Sequence, residues 1–249
     1  MISSLAQHLP EALAWYGDKL VLPGEHSNAI PGTVLLDKAG AERLMERFAK
    51  THPGGDRRAL VSMWTQWHFG MLIIPATAAI LLLDRDLPVA LDEVGIVPHD
   101  EGRTAALVVA HEGRPCDVDG PRYSRLFDGH IAPLIAHFAG HFSVSPRLLW
   151  TNAAAIFEWT LQQVAATGEA APEALAEGFA LLEAQTDARG KRSLMLDAVR
   201  YPLQDGEPTR QRKICCLRYL LPGVAHCGSL CPLPEATVER ERRALPEVR

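Results

Sequence analysis

Four of the five cysteines lie within one short C-terminal segment, at Cys215, Cys216, Cys227 and Cys231. Soft thiolate ligands at close sequence spacing can converge on Zn(II) or on an iron-sulfur cluster. A Pro-Gly dipeptide between the two pairs predicts the chain reversal that would bring them together. The segment therefore predicts a metal centre held by two cysteine pairs.

The spacing leaves two kinds of centre open. Side chains of adjacent residues such as Cys215 and Cys216 tend to point apart, and a binuclear cluster offers separated ligand positions, which favours a cluster. Zinc sites commonly use C-x2-4-C pairs, which Cys227 and Cys231 would allow. A disulfide is disfavoured because adjacent cysteines are poorly placed to bond each other and intracellular thiols stay reduced. Cys116 follows Pro115 in a predicted loop far from the motif, and we expect it not to be a ligand.

The segment RKICCLRYLLPGVAHCGSLCPL resembles the C-terminal motif of the FhuF-type ferric siderophore reductases. In that family two adjacent cysteines, ten intervening residues and a second cysteine pair bind a [2Fe-2S] cluster. The stretches SMWTQWHFGMLIIPATAAILLL and LFDGHIAPLIAHFAGHFSVSPRLLWTNAAAIFEW are also similar to the family, so the resemblance runs from about Val61 onward. One departure is that three residues, Gly228 to Leu230, separate the last cysteines where the family usually has two. The departure makes His226 an alternative ligand.

The resemblance implies a ferric siderophore reductase that binds a [2Fe-2S] cluster through the four cysteines. Such a cluster transfers one electron, the number needed to reduce siderophore-bound Fe(III) to Fe(II) and so release iron in the cytoplasm. The chain has no G-x-G-x-x-G fingerprint, so the electron is expected from an external ferredoxin or flavin reductase. Two alternatives remain: a siderophore-binding or assembly protein with a structural zinc, and a [2Fe-2S] electron carrier for other partners.

Basic residues surround the first cysteine pair, and we predict that they dock an acidic donor or an anionic chelate; they are Arg210, Arg212, Lys213 and Arg218. Trp64, Trp67 and His68 are candidates for a substrate groove, although their helical spacing is also typical of a core. His130, His137 and His141 fall on one face of a predicted helix, where surface or core positions are favoured over a metal site. Asn152, in an otherwise apolar helix, is expected to form buried hydrogen bonds.

Composition narrows the class of protein. The 249 residues are 47% hydrophobic with a formal net charge of -5, which predicts a globular protein and offers no basis for nucleic-acid binding. No secretory signal is visible at the start, so a cytoplasmic location is expected. The uncharged run from Ala59 to Leu83 is interrupted by Gln66, His68 and Gly70, and Pro75 divides it. We predict buried core helices, kinked or broken near Pro75, with no transmembrane span and peripheral membrane contact left open.

The elements predict an α+β protein, mainly helical, with a small antiparallel sheet and a C-terminal iron-sulfur binding segment. Asp37, Ser145 and Pro172 mark helix starts, and helical periodicity runs from Tyr123 to Phe142. The stretches Val89 to Val97 and Thr104 to Ala110 predict an antiparallel hairpin. The expected division is a reductase body at 1–205, a cluster-binding segment at 206–234 and a polar tail at 235–249.

Overall fold

A computed structural model describes residues 2–117, 120–187, 190–204 and 206–234. It is mainly helical, with small and mostly antiparallel sheets, which confirms the predicted α+β class. The α-helices of the described residues are α1 Ser3–Ala6, α2 Lys38–Lys50, α3 Arg57–Leu83, α4 Ser124–Leu126, α5 Ala132–Phe142, α6 Pro146–Ala165 and α7 Pro172–Glu183. The strands are β1 Leu20–Val21, β2 Ile30–Pro31, β3 Arg85–Asp86, β4 Gly95–Pro98, β5 Thr104–Val108, β6 Arg114–Pro115, β7 Val199–Arg200, β8 Leu203–Gln204, β9 Glu207–Pro208 and β10 Gln211–Arg212.

Helix α3 is the centre of the fold. The Asp56 side chain caps its start by accepting hydrogen bonds from the Arg58 and Ala59 N–H groups at 2.9 and 3.2 Å. Nearly all of its side chains from Ala59 to Leu81 are buried, and it packs lengthwise against α6. A helix that is apolar on every face belongs in a core, so α3 supplies the scaffold on which the other elements lie.

Pro75 does not break α3, which runs unbroken from Arg57 to Leu83. A proline inside a helix removes one hydrogen bond and costs about 3 kcal/mol, but burial of many apolar side chains on both sides offsets that cost. The expected break is therefore wrong, and the burial is confirmed. By length and composition α3 could cross a membrane, and 78% of its most apolar window is buried within the protein, as in a core helix.

The main sheet has the strand order β1-β5-β4-β2. Its centre is the predicted hairpin, with β4 and β5 antiparallel, but β4 begins only at Gly95. The preceding residues turn, and the Val94 N–H donates to the Ala90 carbonyl at 3.2 Å. Strand β1 adds in parallel to β5, a pairing that no local pattern in the sequence indicates.

The predicted helix from Tyr123 to Phe142 is a composite of α4, a π-helix at Phe127–Ile131, and α5. A π-helical turn holds more residues than an α-helical turn, so it rotates the side chains before it relative to those after it. His130 is consequently buried in the core, whereas His137 and His141 stack on each other at 5.7 Å between ring centroids and His141 Nε2 lies 2.9 Å from Glu42. The three histidines do not share one face.

The other predicted helix starts are confirmed. Asp37 caps α2 by accepting from the Gly40 N–H at 2.7 Å. Helix α6 begins at Pro146 after Ser145, although the Ser145 side chain forms no capping hydrogen bond, and α7 begins at Pro172. The domain division at residue 205 stays a prediction, and the tail at 235–249 lies outside the described residues.

A pair of histidines joins α3 to the π-helix inside the core. Nε2 of His68 lies 2.9 Å from Nε2 of His130, Nδ1 of His130 lies 2.6 Å from the Val89 carbonyl oxygen, and Nδ1 of His68 lies 2.8 Å from the Thr104 hydroxyl. These three hydrogen bonds can all form with one ring proton on each histidine. In that arrangement His130 donates to Val89, His68 donates to His130 and Thr104 donates to His68. Burial lowers the pKa of His130 to about 4 and that of His68 well below its ordinary value, so both rings are neutral.

We expect the free energy of unfolding to fall as the pH drops from about 6.5 towards about 4. Unfolded histidines bind protons near pH 6.5, and the native His130 ring resists protonation until about pH 4, so acid favours the unfolded state. His130 alone should account for about 3 kcal/mol across this window. Urea unfolding at several pH values measures the slope.

The variant His130→Asn should be less stable at neutral pH and show a smaller pH slope than the wild type, because the titrating group is gone. His26→Gln, at an exposed position, is the matched control and should keep the wild-type slope. Equal slopes in His130→Asn and wild type would contradict the assignment.

Candidate metal centre

Hydrogen bonds join the cysteine segment to the body at its start and near its middle. Strand β10 pairs antiparallel with β7, and the Lys213 N–H donates to the Ala198 carbonyl at 2.8 Å. Further on, the Asp56 N–H donates to the Leu220 carbonyl at 3.3 Å, and Leu221 is fully buried. The Ser62 hydroxyl of α3 donates to the Cys216 carbonyl at 2.7 Å. These bonds seat the segment against the start of α3.

The predicted reversal is present and brings the cysteine pairs together. The Val224 N–H donates to the Leu221 carbonyl, and Gly223 adopts a φ of 73°, a left-handed conformation that glycine tolerates. The sulfurs of Cys216 and Cys227 lie 3.9 Å apart. Two thiolates bound to one tetrahedral ion at about 2.3 Å each lie about 3.8 Å apart, so this separation suits ligands of one metal ion.

Hydrogen bonds between the thiols link all four cysteines. Cys215 and Cys227 both hydrogen-bond to Cys216, which lowers the pKa of Cys216 far below its ordinary value. The same contacts, followed by burial, raise the pKa values of Cys215 and Cys227, and Cys227 also contacts Cys231. Cys216 and Cys231 are buried, and the other two are half-buried. The four sulfurs therefore form one connected donor set at the edge of the protein.

Two backbone N–H groups point at these sulfurs. The Leu217 N–H donates to Cys215 Sγ at 3.3 Å, and the Arg218 N–H hydrogen-bonds to Cys216. Leu217 holds a φ of 63°, in the left-handed region, which costs a residue with a branched side chain about 1–3 kcal/mol. Such N–H···S bonds stabilise negative charge on sulfur, and the left-handed conformation of Leu217 accompanies one of them.

The extra residue between the last two cysteines is taken up by a 3₁₀-helix, Gly228–Leu230, and the Cys231 N–H donates to the Gly228 carbonyl at 3.0 Å. The turn brings Cys231 back beside Cys227. His226 lies with them, and one ligand atom from each of the three residues falls within 4.8 Å of the others. Nδ1 of His226 accepts from the Gly228 N–H, and its Nε2 is buried with no hydrogen-bond partner among the described residues. The structure thus keeps His226 as an alternative ligand.

Behind the sulfurs lies a buried cation, Arg212, which is 3% exposed. Its guanidinium donates to the Asn152 side-chain oxygen and, at 3.4 Å, to the Ile214 carbonyl. The Asn152 amide donates in turn to the Ser62 carbonyl and to the Thr65 hydroxyl, both at 3.1 Å. Burial lowers the pKa of Arg212, and the nearby thiolates counteract that effect. Asn152 has the buried hydrogen-bonding role expected from its position in α6.

These features fit a thiolate-bound cluster with net negative charge. The donors are four soft sulfurs in mutual contact, two N–H groups point at them, and a buried guanidinium lies behind them. Four-cysteine ligation is the usual set for a [2Fe-2S] cluster, and hydrogen bonds to the sulfurs adjust its potential. The donor set alone would also suit zinc.

Comparison with known families decides the kind of centre. Residues 62–208 match the family described as ferric iron reductase FhuF-like transporter, and residues 212–233 match the FhuF 2Fe-2S C-terminal domain. The chain belongs to the FhuF family. The second match contains all four clustered cysteines and identifies the cofactor as a 2Fe-2S cluster rather than zinc.

One curated relative extends this comparison. The chain is 28% identical over 177 residues to a protein named ferric siderophore reductase from Escherichia coli (strain K12). The aligned region covers 70% of this chain and 65% of the relative, so about a third of the relative's length has no counterpart in the alignment.

The four basic residues near the FhuF cysteine motif do not form one surface patch. Arg210 pairs with Glu158 at 2.7 Å and Lys213 pairs with Asp197 at 3.0 Å. Arg212 is buried, as described above. Arg218 is half-buried and lies with Nη2 3.7 Å from Met63 Sδ. Arg210 and Lys213 thus have acidic partners from other segments, and the docking role of the four basic residues stays a prediction.

Trp64 and His68 do not line a surface groove. Trp64 is 1% exposed, stacks on His68 at 5.0 Å between ring centroids and donates its indole N–H to the Gly102 carbonyl at 3.0 Å. His68 is fully buried in the histidine pair. Cys116 is buried in another part of the fold, where its N–H donates to the Asp84 carbonyl at 3.0 Å, and it is not among the sulfurs that contact one another in the motif.

Sequence reasoning missed three parts of the FhuF site. Ser62 anchors Cys216 from inside an apolar run, where a serine gives little signal. Leu217 adopts a left-handed backbone conformation although it is neither glycine nor asparagine, so no sequence rule predicts that conformation. Trp67, which is predicted to line a groove, lies in the lining of one beside the motif, whereas Tyr16 and Trp159 line the same groove without being predicted. Trp159 lies outside the apolar stripe of α6, and a large aromatic side chain at such a position is the sequence feature that could have indicated a groove residue.

Proposed function

We propose that Cys215, Cys216, Cys227 and Cys231 bind the [2Fe-2S] cluster, and that the protein reduces siderophore-bound Fe(III) to Fe(II). When bound, the cluster supplies a one-electron carrier, matching the single electron that this reduction needs. The observation that carries the proposal is that the four connected sulfurs lie at the protein edge beside an open aromatic groove. The family match and the name of the relative support the same reaction class.

The chain's own residues hold the thiolates in place and stabilise their charge. Ser62, through the Cys216 carbonyl, and Leu220, through the Asp56 N–H, fix the segment on α3. The N–H groups of Leu217 and Arg218 and the buried cation of Arg212 favour negative charge on the sulfurs. Because these contacts fix the donor atoms in advance, the protein around the cluster would need to rearrange little when one electron changes the net charge of the centre.

The chemistry of the siderophore explains how iron is released from it. Siderophore oxygens are hard donors that suit Fe(III), so reduction weakens the chelate and competing ligands take the Fe(II). This step needs no protein acid or base. Because the chain lacks a nucleotide-binding fingerprint, we propose that a separate ferredoxin or flavin reductase supplies electrons, and that the reaction takes place in the cytoplasm.

The test is stopped-flow oxidation of the anaerobically reduced protein by a panel of ferric siderophores, with an Fe(II) trap present. We expect at least one chelate to oxidise the protein much faster than buffer does, with one Fe(II) trapped per electron lost. If no chelate does so, the reductase proposal is wrong. A protein that instead exchanges electrons only with redox proteins would be an electron carrier.

A further inference from the structure

A groove of about 240 Å³ opens beside the cysteine segment. Its aromatic side chains come from three parts of the chain: Tyr16 from the 3₁₀-helix Glu11–Tyr16, Trp67 from α3, and Trp159 from α6. Gly70 also lines the groove, and the nearest atom to a Cβ built there is Tyr16 Cε1 at 3.5 Å. Three aromatic rings and a bare stretch of helix therefore form an apolar recess.

The aromatic surface continues from the recess to the outside. The Trp67 ring centroid lies 6.4 Å from that of Trp15, which is 53% exposed. Two cations lie over these two tryptophan rings. The Lys19 amine is 4.2 Å from the Trp15 ring, and the Arg103 guanidinium is 4.8 Å from the Trp67 ring. Concave sites lined mainly by aromatic and other apolar side chains, with a few polar groups, are typical of small-molecule binding.

Arg218 is the charged member of the groove lining among the described residues. Its Nε is buried with no hydrogen-bond partner in the described part of the chain. A buried guanidinium N–H without an acceptor is costly, and an oxygen of a ligand in the groove would satisfy it. The two cations over the tryptophan rings already have acidic partners: Lys19 pairs with Asp18 at 2.6 Å and Arg103 with Glu101 at 2.9 Å. The Arg218 guanidinium is then the cation left in the groove lining to offset ligand charge, and it can offset one negative charge but not three.

The groove and the cysteine segment share residues. Arg218 contributes its side chain to the groove and its N–H to Cys216. Met63 lines the groove, and the preceding residue, Ser62, donates to the Cys216 carbonyl. A ligand held in the groove therefore lies next to the proposed cluster ligands.

We propose that this groove is the docking site for the ferric chelate and that it selects chelates of low net charge, zero or minus one, with apolar or aromatic arms. The inference rests on the proposed function. The recess is smaller than the roughly 300–1,000 Å³ typical of sites that enclose a ligand, so it holds one arm of the chelate. The aromatic rings pack against that arm, and Arg218 donates to one of its oxygens.

The experiment uses gallium(III) complexes, since Ga(III) resembles Fe(III) in charge and size but is not reduced. Binding of a neutral gallium tris-hydroxamate and of a triply negative gallium tris-catecholate to the cluster-loaded protein is measured by titration calorimetry. We expect the neutral complex to bind at least about tenfold more tightly. Comparable affinity for the two complexes, or tighter binding of the catecholate, would overturn the charge selection.

Two variants test the site itself. Arg218→Gln and Trp159→Leu should each weaken binding of the neutral complex by about tenfold or more, with the visible spectrum of the cluster retained. Arg43→Gln removes an exposed arginine that does not line the groove, and it should bind like the wild type. If Trp159→Leu and Arg218→Gln both bind like the wild type, the groove is not the docking site.

The outcomes separate the two proposals. If gallium complexes bind in the groove but no ferric chelate oxidises the reduced protein, the reductase proposal fails and the docking site stands. If ferric chelates oxidise wild type and both groove variants with the same concentration dependence, the docking site fails and the reductase proposal stands.

Discussion

Replacing Cys216 by serine is expected to abolish cluster binding. Its sulfur is buried, lies 3.9 Å from that of Cys227 and also contacts Cys215, so it is the central member of the donor set. A serine hydroxyl is a harder and far less acidic donor than a thiol. The protein purified without oxygen should contain about two irons and two sulfides per chain, and Cys216→Ser less than about a tenth of that.

Cys116→Ser is the matched control. Cys116 is also buried and also a cysteine, but it lies apart from the motif, so iron, sulfide and the visible spectrum should match those of the wild type. Unchanged iron and sulfide in Cys216→Ser would remove this residue from the ligand set. Stoichiometric zinc without sulfide in the wild type would contradict the cluster assignment altogether.

The second large effect is expected at Asn152. The change Asn152→Leu removes the acceptor of the buried Arg212 guanidinium and the amide that ties α6 to Ser62 and Thr65. Leaving a buried charge without its partner should lower the free energy of unfolding by about 3 kcal/mol. Urea unfolding followed by far-UV circular dichroism measures this loss, and the cluster spectrum should bleach at lower urea than in the wild type.

A double-mutant cycle measures the interaction energy between Asn152 and Arg212. Arg212→Met combined with Asn152→Leu removes both partners, so the double variant should lose less stability than the sum of the single variants, with a coupling of about 1–3 kcal/mol. Additive losses would mean that Asn152 and Arg212 act independently. A loss below about 0.5 kcal/mol in Asn152→Leu would show that solvent replaces the lost bonds.

The parts of the fold and site that the sequence predicts are those with local causes. Asp37 and Pro146 mark helix starts because capping and the fixed φ of proline act within one turn. The four cysteines are recognisable because thiolates at that spacing have few other uses. The turn before Val224 follows from a Pro-Gly pair.

The parts that the sequence does not predict depend on distant contacts. Pro75 stays inside an unbroken helix because packing from several elements compensates for the lost hydrogen bond. The π-helix at Phe127–Ile131 turns His130 towards His68, and a helical wheel drawn with a constant α-helical period cannot show this. Arg210 and Lys213 look free in sequence because their partners, Glu158 and Asp197, come from other segments.

The stretch of α3 from Ser62 to Gly70 contacts both the cysteine segment and the groove. Ser62 holds the Cys216 carbonyl, and Gly70 forms part of the groove floor. Gly70 is eight positions after Ser62 along the helix, a rise of about 12 Å that side-chain motion does not alter. Electron tunnelling weakens exponentially with distance, so a docking site and a redox centre mounted on the same buried helix would keep a fixed tunnelling length. Transfer would then need no hinge, and its rate would depend on driving force and on how long the chelate stays docked.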